Sequence, residues 1–410
     1  MQTHEGTNLG GFDPTDPAVI EDPYPFYARY RAIAPVQEGV SPDPRFDRAW
    51  FVFGFAAANE LLRDRTLKSD PRPFLADGVE DNDPPRLSIT DPPDHTRQRQ
   101  VLTDLFRKSA VQGYRAQIRQ MAERLFGELR EVERPDLVRG YAFKIPIGTI
   151  AALLGLPDSD HASMRDWSED MMKAFDLGGD LETFQASERA IEKFNEYFRL
   201  RVAERLRATD LVEHSLLDRL VAASRSGQIS GDEVLAMARF LVIAGFETTM
   251  NLIGTGYYEL ARRPDQLAVV AEDPDGTLAG TVQELLRHIS PVQRLMARFS
   301  DRDVTISDVT IPAGDPIYIM VGAANRDPAE YQNPDEIHVR RDASRHLAFG
   351  FGRHICVGAL LARIEAEEAL RVLIRCRDLF ELDDGEGVLW RRMALTRGLE
   401  TLPIHWKDAL

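Results

Sequence analysis

The stretch Phe349-Gly-Phe-Gly-Arg-His-Ile-Cys-Val-Gly358 decides how this chain is read. Its three glycines allow backbone torsions that a side chain forbids and let the chain approach a bulky partner closely. A metal-bound thiolate is stabilised by nearby positive charge and by backbone N–H groups aimed at the sulfur. Arg353 and His354 supply the charge, and a helix beginning near Gly358 directs its N–H groups back towards Cys356. The plain alternative is a buried structural cysteine, the usual fate of a lone one. Cys376, late in an apolar helix with no supporting pattern, takes that second reading.

Outward from this loop, helical periodicity dominates the chain. Tyr114, Ile118, Met121, Leu125, Leu129 and Val132 recur at helical spacing, and a second helical segment runs from about Leu181 to Arg207. The clearest long helix begins near Ser230, where Ser230 and Glu233 form a capping-box pattern, and it runs to Tyr258 before Arg262-Arg263-Pro264. Its middle, Phe240 to Met250, is apolar nearly all round, which predicts a helix threading the core. Asp303–Ile311 and Pro316–Val321 predict short strands, and Leu402–Trp406 a terminal one. The fold class is therefore mainly α with a minor β part, α+β. Between Leu67 and Pro93 the chain is rich in Pro and Asp, a loop long enough to cover a pocket.

Composition narrows the function. Hydrophobic residues make up 43% and charged residues 28%, as in an ordinary globular enzyme. A formal net charge of −16 argues against nucleic acid as partner, because phosphate binding needs a dominant basic field. Two cysteines in 410 residues cannot build a disulfide framework. The start Met1-Gln-Thr-His-Glu-Gly lacks a signal-peptide pattern, and the run Phe240–Phe246 is far short of the roughly 20 residues that span a membrane. The expectation is a cytoplasmic protein with no membrane partner.

Three further constellations carry chemistry. Glu284 and Arg287 stand three apart on one helix face, where a carboxylate and a guanidinium can pair; an isolated pair of this kind is ordinarily solvated and worth little. In Ala244-Gly-Phe-Glu-Thr-Thr249 an acid and hydroxyls interrupt an apolar helix, which is costly unless they are partnered or used. Thr248 can bond the carbonyl of Ala244 and loosen the helix there; the plain alternative is a kink with a surface glutamate. In Asp91-Pro-Pro-Asp-His-Thr-Arg-Gln-Arg99, Asp91 and Pro92 suit a helix start, and His95 and Arg99 share one face.

Taken in this order, Phe349-x-x-Gly352-x-His354-x-Cys356-x-Gly358 and these stretches resemble the cytochrome P450 family over essentially the whole chain. Pro23-Tyr-Pro-Phe-Tyr27, Ala324-Asn-Arg-Asp-Pro328 and Arg397-Gly-Leu-x-x-Leu-Pro403 are similar to its soluble bacterial members. The resemblance implies one P450 domain over residues 1–410, with a long central helix crossing the haem and a cysteine loop before a late helix. It implies haem b as cofactor with Cys356 as iron ligand, and a haem environment built from His95, Arg99, Arg298, His354, Phe349, Gly350, Gly358 and Ala244. Glu284, Arg287 and Arg341 would form a buried triad, and Glu247 with Thr248 the acid–alcohol pair that relays protons to bound dioxygen, with Glu247 standing where many members have aspartate. A thiolate ligand favours O–O cleavage, so the implied activity is monooxygenation.

The expected reaction is oxidation, above all hydroxylation, of a small and largely apolar organic molecule, possible in secondary metabolism; coupling, nitration, desaturation or dehydration, a peroxide-driven reaction, and a non-catalytic haem sensor or carrier stay open. No G-x-G-x-x-G follows a strand, so electrons would come from a separate ferredoxin and its reductase. Arg340, Arg341, Arg345, Arg353 and Arg363 are the basic residues around the cysteine loop that would meet an acidic ferredoxin. By position in the family pattern the substrate pocket would hold Ile89, Met171, Met172, Leu241, Ala244, Val292, Met296 and Leu395. The segment Pro291–Arg298 carries one residue more than the pattern expects, which draws attention to Arg294: it points to solvent, shares a propionate, or sits at the pocket wall to pair with a substrate carboxylate.

Overall fold

A computed structural model describes residues 11–76, 87–103, 105–173, 181–207, 215–383 and 387–407. The long helix spans Gly231–Ala261 and forms the axis of the fold. The predicted capping box is present: Ser230 Oγ accepts the Glu233 N–H at 3.1 Å, and the Glu233 carboxylate accepts the Ser230 N–H at 2.7 Å. The same carboxylate accepts Arg97 Nη2 at 2.6 Å, so the start of this core helix is tied to the helix Asp94–Thr103. Arg97 holds Glu233 well below the usual carboxylate range, at about 2. A helix apolar on every face must be enclosed, and this one packs against Lys144–Leu154, Pro274–Ile289 and Ala359–Arg375. Among the described residues it is the one helix long and apolar enough to cross a membrane, yet 67% of its apolar window is buried in the protein.

The second predicted helix is Leu181–Arg207, lying against His161–Lys173 through Trp167, whose ring meets Phe194 and Tyr197. The helix expected around Tyr114–Val132 forms over Arg115–Leu129 and buries Ile118, Leu125 and Leu129. The helix after Asp91 begins at Asp94, later than expected. The Asp91 carboxylate instead accepts the N–H groups of Ser69 and Asp70, at 2.9 and 3.1 Å.

The sheet content is small, as read. Val36–Gly39 pairs antiparallel with Ala49–Val52, which pairs in parallel with Ile317–Ile319. Val304–Ile306 and Val309–Ile311 form a hairpin turned by Ser307 and Asp308 at positive φ, as tight hairpins require. The terminal strand Ile404–Trp406 pairs with Phe380–Leu382. The two end motifs meet: Arg397 donates to the Glu21 carbonyl at 3.0 Å and stacks over Tyr24, 5.5 Å from its centroid.

Candidate active site

The loop before Ala359–Arg375 is built on two left-handed glycines, Gly350 at φ 66° and Gly352 at φ 73°. At Gly352 no side chain fits, because a Cβ would lie 2.6 Å from the Leu62 carbonyl oxygen. The turn closes through Cys356 N–H to Phe349 O at 2.9 Å. Cys356 is exposed, and the surface it exposes lines a cavity. Protein packed around the thiol pushes its pKa up by desolvation, while the Gly358 N–H and the Arg99 charge pull it back. These are the backbone and cationic donors a thiolate ligand requires.

A cavity of about 290 Å³ lies between this loop and the core helix. Leu241, Ala244 and Thr248 face it from the helix. At one margin stand His95, Arg99, Arg298 and His354, all on the lining. His95 and His354 are 4.3 Å apart by ring centroid, and His95 Nε2 is buried without a partner. Burial and then the neighbouring cations depress both rings, His95 to about 4 and His354 to about 2. Burial chiefly lowers Arg298 to about 10. A buried cluster of donors that repel one another, with an orphaned imidazole nitrogen, is arranged for an anionic group. Two carboxylates of a haem, above a thiolate, fit it.

The pairing of Glu284 with Arg287 is a buried one. Arg287 Nε and Nη2 donate to the two oxygens of Glu284 at 2.7 and 2.9 Å, with both side chains fully buried. Arg341 Nε completes the triad at 3.1 Å. Arg287 also donates to the carbonyls of Asn325, Pro334 and Glu336. Asn325 Oδ1 in turn accepts the Leu347 N–H at 2.7 Å, just ahead of the cysteine loop. The Ala324–Pro328 stretch, which sequence alone left without chemistry, is thus the joint between triad and loop.

A family model described as "Cytochrome P450" matches residues 167–386, more than half of the chain. PikC, the cytochrome P450 monooxygenase of Streptomyces venezuelae, is 35% identical over 394 residues, covering 94% of this chain and 91% of that one. This chain belongs to the cytochrome P450 family. It is accordingly a P450 monooxygenase, and the family's cofactor is a haem iron held by a cysteine thiolate. Among solved structures, the Bacillus subtilis 168 bacillaene polyketide synthase cytochrome P450 PksS superimposes with a TM-score of 0.87 at 29% identity, covering 97% of this chain and 100% of that one. CxnD, a P450 enzyme for C–S bond formation in chuangxinmycin biosynthesis, does so with a TM-score of 0.84 at 30% identity, covering 93% and 94%.

Within this P450 the core helix departs from expectation. Thr248 Oγ1 does donate to the Ala244 carbonyl, at 3.0 Å, but the helix runs on unbroken. Glu247 is not beside it on the cavity. Its carboxylate turns the other way, is buried, and accepts Thr396 Oγ1 at 2.8 Å. Successive helical residues are rotated by about 100°, so an acid and an alcohol adjacent in sequence face different neighbours. Two residues that sequence reading missed are on the cavity wall instead, Thr249 and Glu365. Glu365, on the late helix, is buried, and desolvation raises it to about 8, with the nearby hydroxyls of Thr149 and Thr249 opposing the rise. A signal was available: Leu361, Ile364, Glu365, Glu368 and Val372 share the inward face of an amphipathic helix, where a glutamate needs a reason.

The haem-environment residues Phe349, Gly350, Gly358 and Ala244 all line the cavity, as do the pocket residues Leu241, Val292 and Met296. Ile89 and Leu395 do not; Leu87 and Ser88 take the place expected of Ile89, and Leu395 spends its carbonyl on the Gln293 N–H at 2.9 Å. Met171 and Met172 lie on the helix His161–Lys173, but their side chains fall outside the described residues. Residues 77–86 of the proposed covering loop also lie outside them. Arg294 fits none of its three expected positions. It is buried away from the cavity with its guanidinium over the Tyr318 ring, 5.0 Å from the centroid. Gln293 bonds the carbonyls of Ile289 and Ser290, and the backbone that follows faces Arg294 towards the aromatic cluster of Tyr27 and Tyr318.

Proposed function

We propose that this P450 is a single-domain, cytoplasmic enzyme of secondary metabolism that hydroxylates a small, largely apolar organic molecule, using haem b, dioxygen and electrons from a ferredoxin and its reductase. The observation that carries the reading is the cavity itself. A cysteine thiol forms its floor, a cationic cluster its margin, and Leu241, Ala244, Val292, Leu295 and Met296 its walls. The haem iron, when bound, supplies the activation of dioxygen. The chain's own residues do the rest. His95, Arg99, Arg298 and His354, which line the cavity, would hold the propionates, and Cys356 would bind the iron. The apolar walls orient the substrate and keep bulk water out. Thr248, at the cavity face of the core helix, stands at the alcohol position of the family's acid–alcohol pair. The polyketide relative supports a secondary-metabolite substrate, and the relative that forms a C–S bond supports a second reading, a non-hydroxylating oxidation at the same cavity.

The docking face for ferredoxin is drawn differently from the sequence expectation. Arg341 is committed to the triad, and Arg345 pairs with Glu330 at 2.8 Å. Arg363 donates to the Ala359 carbonyl at 3.2 Å, and Arg353 to the Arg65 carbonyl. Beside the loop Phe351 and Ile355 are exposed, with Arg63 stacked 4.3 Å over Phe351 and Arg65 close by. An apolar centre with a basic rim is a suitable contact for a small acidic electron carrier.

The test starts from the ligand. Reduced protein with carbon monoxide should show the red-shifted haem band of a thiolate ligand; Cys376→Ser should keep it and Cys356→Ser abolish it. The opposite pattern would remove Cys356 from the site. A titration of candidate small molecules, followed by the haem absorption shift and by mass analysis of products, then separates hydroxylation from bond formation.

A further inference from the structure

We infer that Ser69 is the positioning residue of the cationic margin: its hydroxyl donates to His354 Nε2 and fixes the imidazole with a proton on Nδ1, the ring's remaining donor for a haem propionate. This rests on the haem-bearing monooxygenase reading and deepens it. Ser69 opens the Pro- and Asp-rich stretch between Leu67 and Pro93, is 2% exposed and does not line the cavity, whereas His354 does. Ser69 Oγ lies 2.9 Å from His354 Nε2. It has no other side-chain partner among the described residues, so a hydroxyl buried this deeply places its one proton on that nitrogen. A neutral imidazole that accepts at Nε2 carries its proton on Nδ1. The opposite tautomer would turn a bare lone pair towards an anion and strand the serine proton in the interior.

The segment that carries Ser69 also touches the other elements of the margin. Lys68 and Phe299 exchange both backbone bonds, Lys68 N–H to Phe299 O at 2.7 Å and Phe299 N–H to Lys68 O at 2.9 Å. Phe299 follows Arg298, so this bridge places the arginine's strand beside Ser69. The N–H groups of Ser69 and Asp70 end on the Asp91 carboxylate, and the Asp91 carbonyl accepts the His95 N–H at 3.0 Å. Asp91 Oδ1 also stands 3.9 Å from Nη1 of Arg353, the residue before His354. Arg99 Nη1 donates to the Ile355 carbonyl at 2.7 Å, the residue after it. Three stretches far apart in sequence, carrying His95, Arg298 and His354, are thereby held against one segment. Within that frame Ser69 is, among the described residues, the one side chain hydrogen-bonded to either histidine ring.

The plain alternative is that Ser69 only fills space beside the ring. The segment is already anchored through its backbone, by the Lys68–Phe299 bridge and the N–H bonds to Asp91, and none of these uses the hydroxyl. Removing the hydroxyl therefore tests the bond to His354 and leaves the anchoring in place. A carboxylate needs one N–H from an imidazole in one direction, and an unpartnered ring is free to exchange tautomers or rotate. At metal sites an outer partner that fixes an imidazole in this way is worth about 10–100-fold in affinity or activity.

The test uses the holoprotein. In the reduced, carbon monoxide-bound form labelled with nitrogen-15 histidine, the His354 ring, identified by its loss in His354→Leu, should show a protonated Nδ1 and an accepting Nε2. Ser69→Ala should replace that signature with the averaged one of a ring exchanging tautomers, and should speed haem transfer to an excess of apo-globin by about tenfold. Ser69→Thr, which keeps the hydroxyl, should restore both. On the His354→Leu background, Ser69→Ala should change haem release by less than about twofold, because the serine acts through the ring. That cycle decides the question even if the threonine variant does not fold. Equal acceleration by Ser69→Ala with and without His354, or a wild-type ring protonated on Nε2 alone, overturns the assignment. A wild-type protein without the carbon monoxide band would instead sink the monooxygenase reading beneath it.

Discussion

Consider replacing Arg287 with Leu. Its guanidinium makes five hydrogen bonds, two to Glu284 and one each to the carbonyls of Asn325, Pro334 and Glu336. Both members of the pair are fully buried, so the variant leaves Glu284 in the interior with only Arg341 and the His338 N–H. Breaking a buried pair by removing one partner costs about 3–5 kcal/mol. Each stranded carbonyl costs on the order of a further 1 kcal/mol where water cannot reach it, though such losses do not add fully. An overall loss of about 4–6 kcal/mol is a large share of the roughly 5–15 kcal/mol that holds a typical domain folded. The double variant Glu284→Met with Arg287→Leu should recover much of this, because no charge is then stranded. It should still bind haem poorly, since the Asn325 joint that sets Leu347 and the cysteine loop has lost its anchor. Urea unfolding followed by far-ultraviolet circular dichroism measures the first effect, and haem content per chain the second. A single variant within about 1 kcal/mol of wild type would refute the reasoning, because it would mean that water or a rotated neighbour satisfies the buried carboxylate.

Three other perturbations follow from the geometry. Thr248→Ala should retain haem and substrate binding yet divert reducing equivalents to peroxide by about tenfold, read by comparing electron use with product; unchanged coupling would remove Thr248 from proton delivery. Arg63→Glu with Arg65→Glu should slow association with an acidic ferredoxin and flatten its dependence on salt in stopped-flow measurements; a salt-insensitive wild type would move the docking face elsewhere. Glu365 holds its proton more tightly when folded, at about 8 against an ordinary 4.5, so its contribution to stability falls as pH rises through that interval and levels off above it. Glu365→Gln should remove about 5 kcal/mol of that pH-dependent loss, measured as the difference between urea midpoints at the two ends of the interval; identical pH dependence in both proteins would show that the carboxyl is not kept neutral.

The two buried glutamates of the late helix show where sequence reading succeeds and where it stops. The cysteine loop, the capping box at Ser230 and the Glu284–Arg287 pair were legible because each is a local device. Its residues lie within ten positions of one another, and torsion, capping or helical spacing already brings them together. The cationic margin was legible for a different reason, since the resemblance carried His95, Arg99, Arg298 and His354 over as positions, and all four line the cavity. The placement of Glu247 was not legible, because a resemblance transfers order along the chain, whereas the face a side chain presents depends on which neighbour supplies a better partner, here Thr396 across 149 residues. Arg294 failed likewise: the extra residue in its segment was visible, but Tyr318 as a place for its guanidinium is a tertiary fact. Glu365 and Glu368 make the same point within one turn of one helix. Both are buried carboxylates in the same apolar stripe, yet Arg115 and Arg119 bond one and hold its pKa down, while burial without a cation raises the other. Identity and periodicity cannot distinguish them; only the partner brought by a second helix can, and that partner decides which of the two ionises more readily.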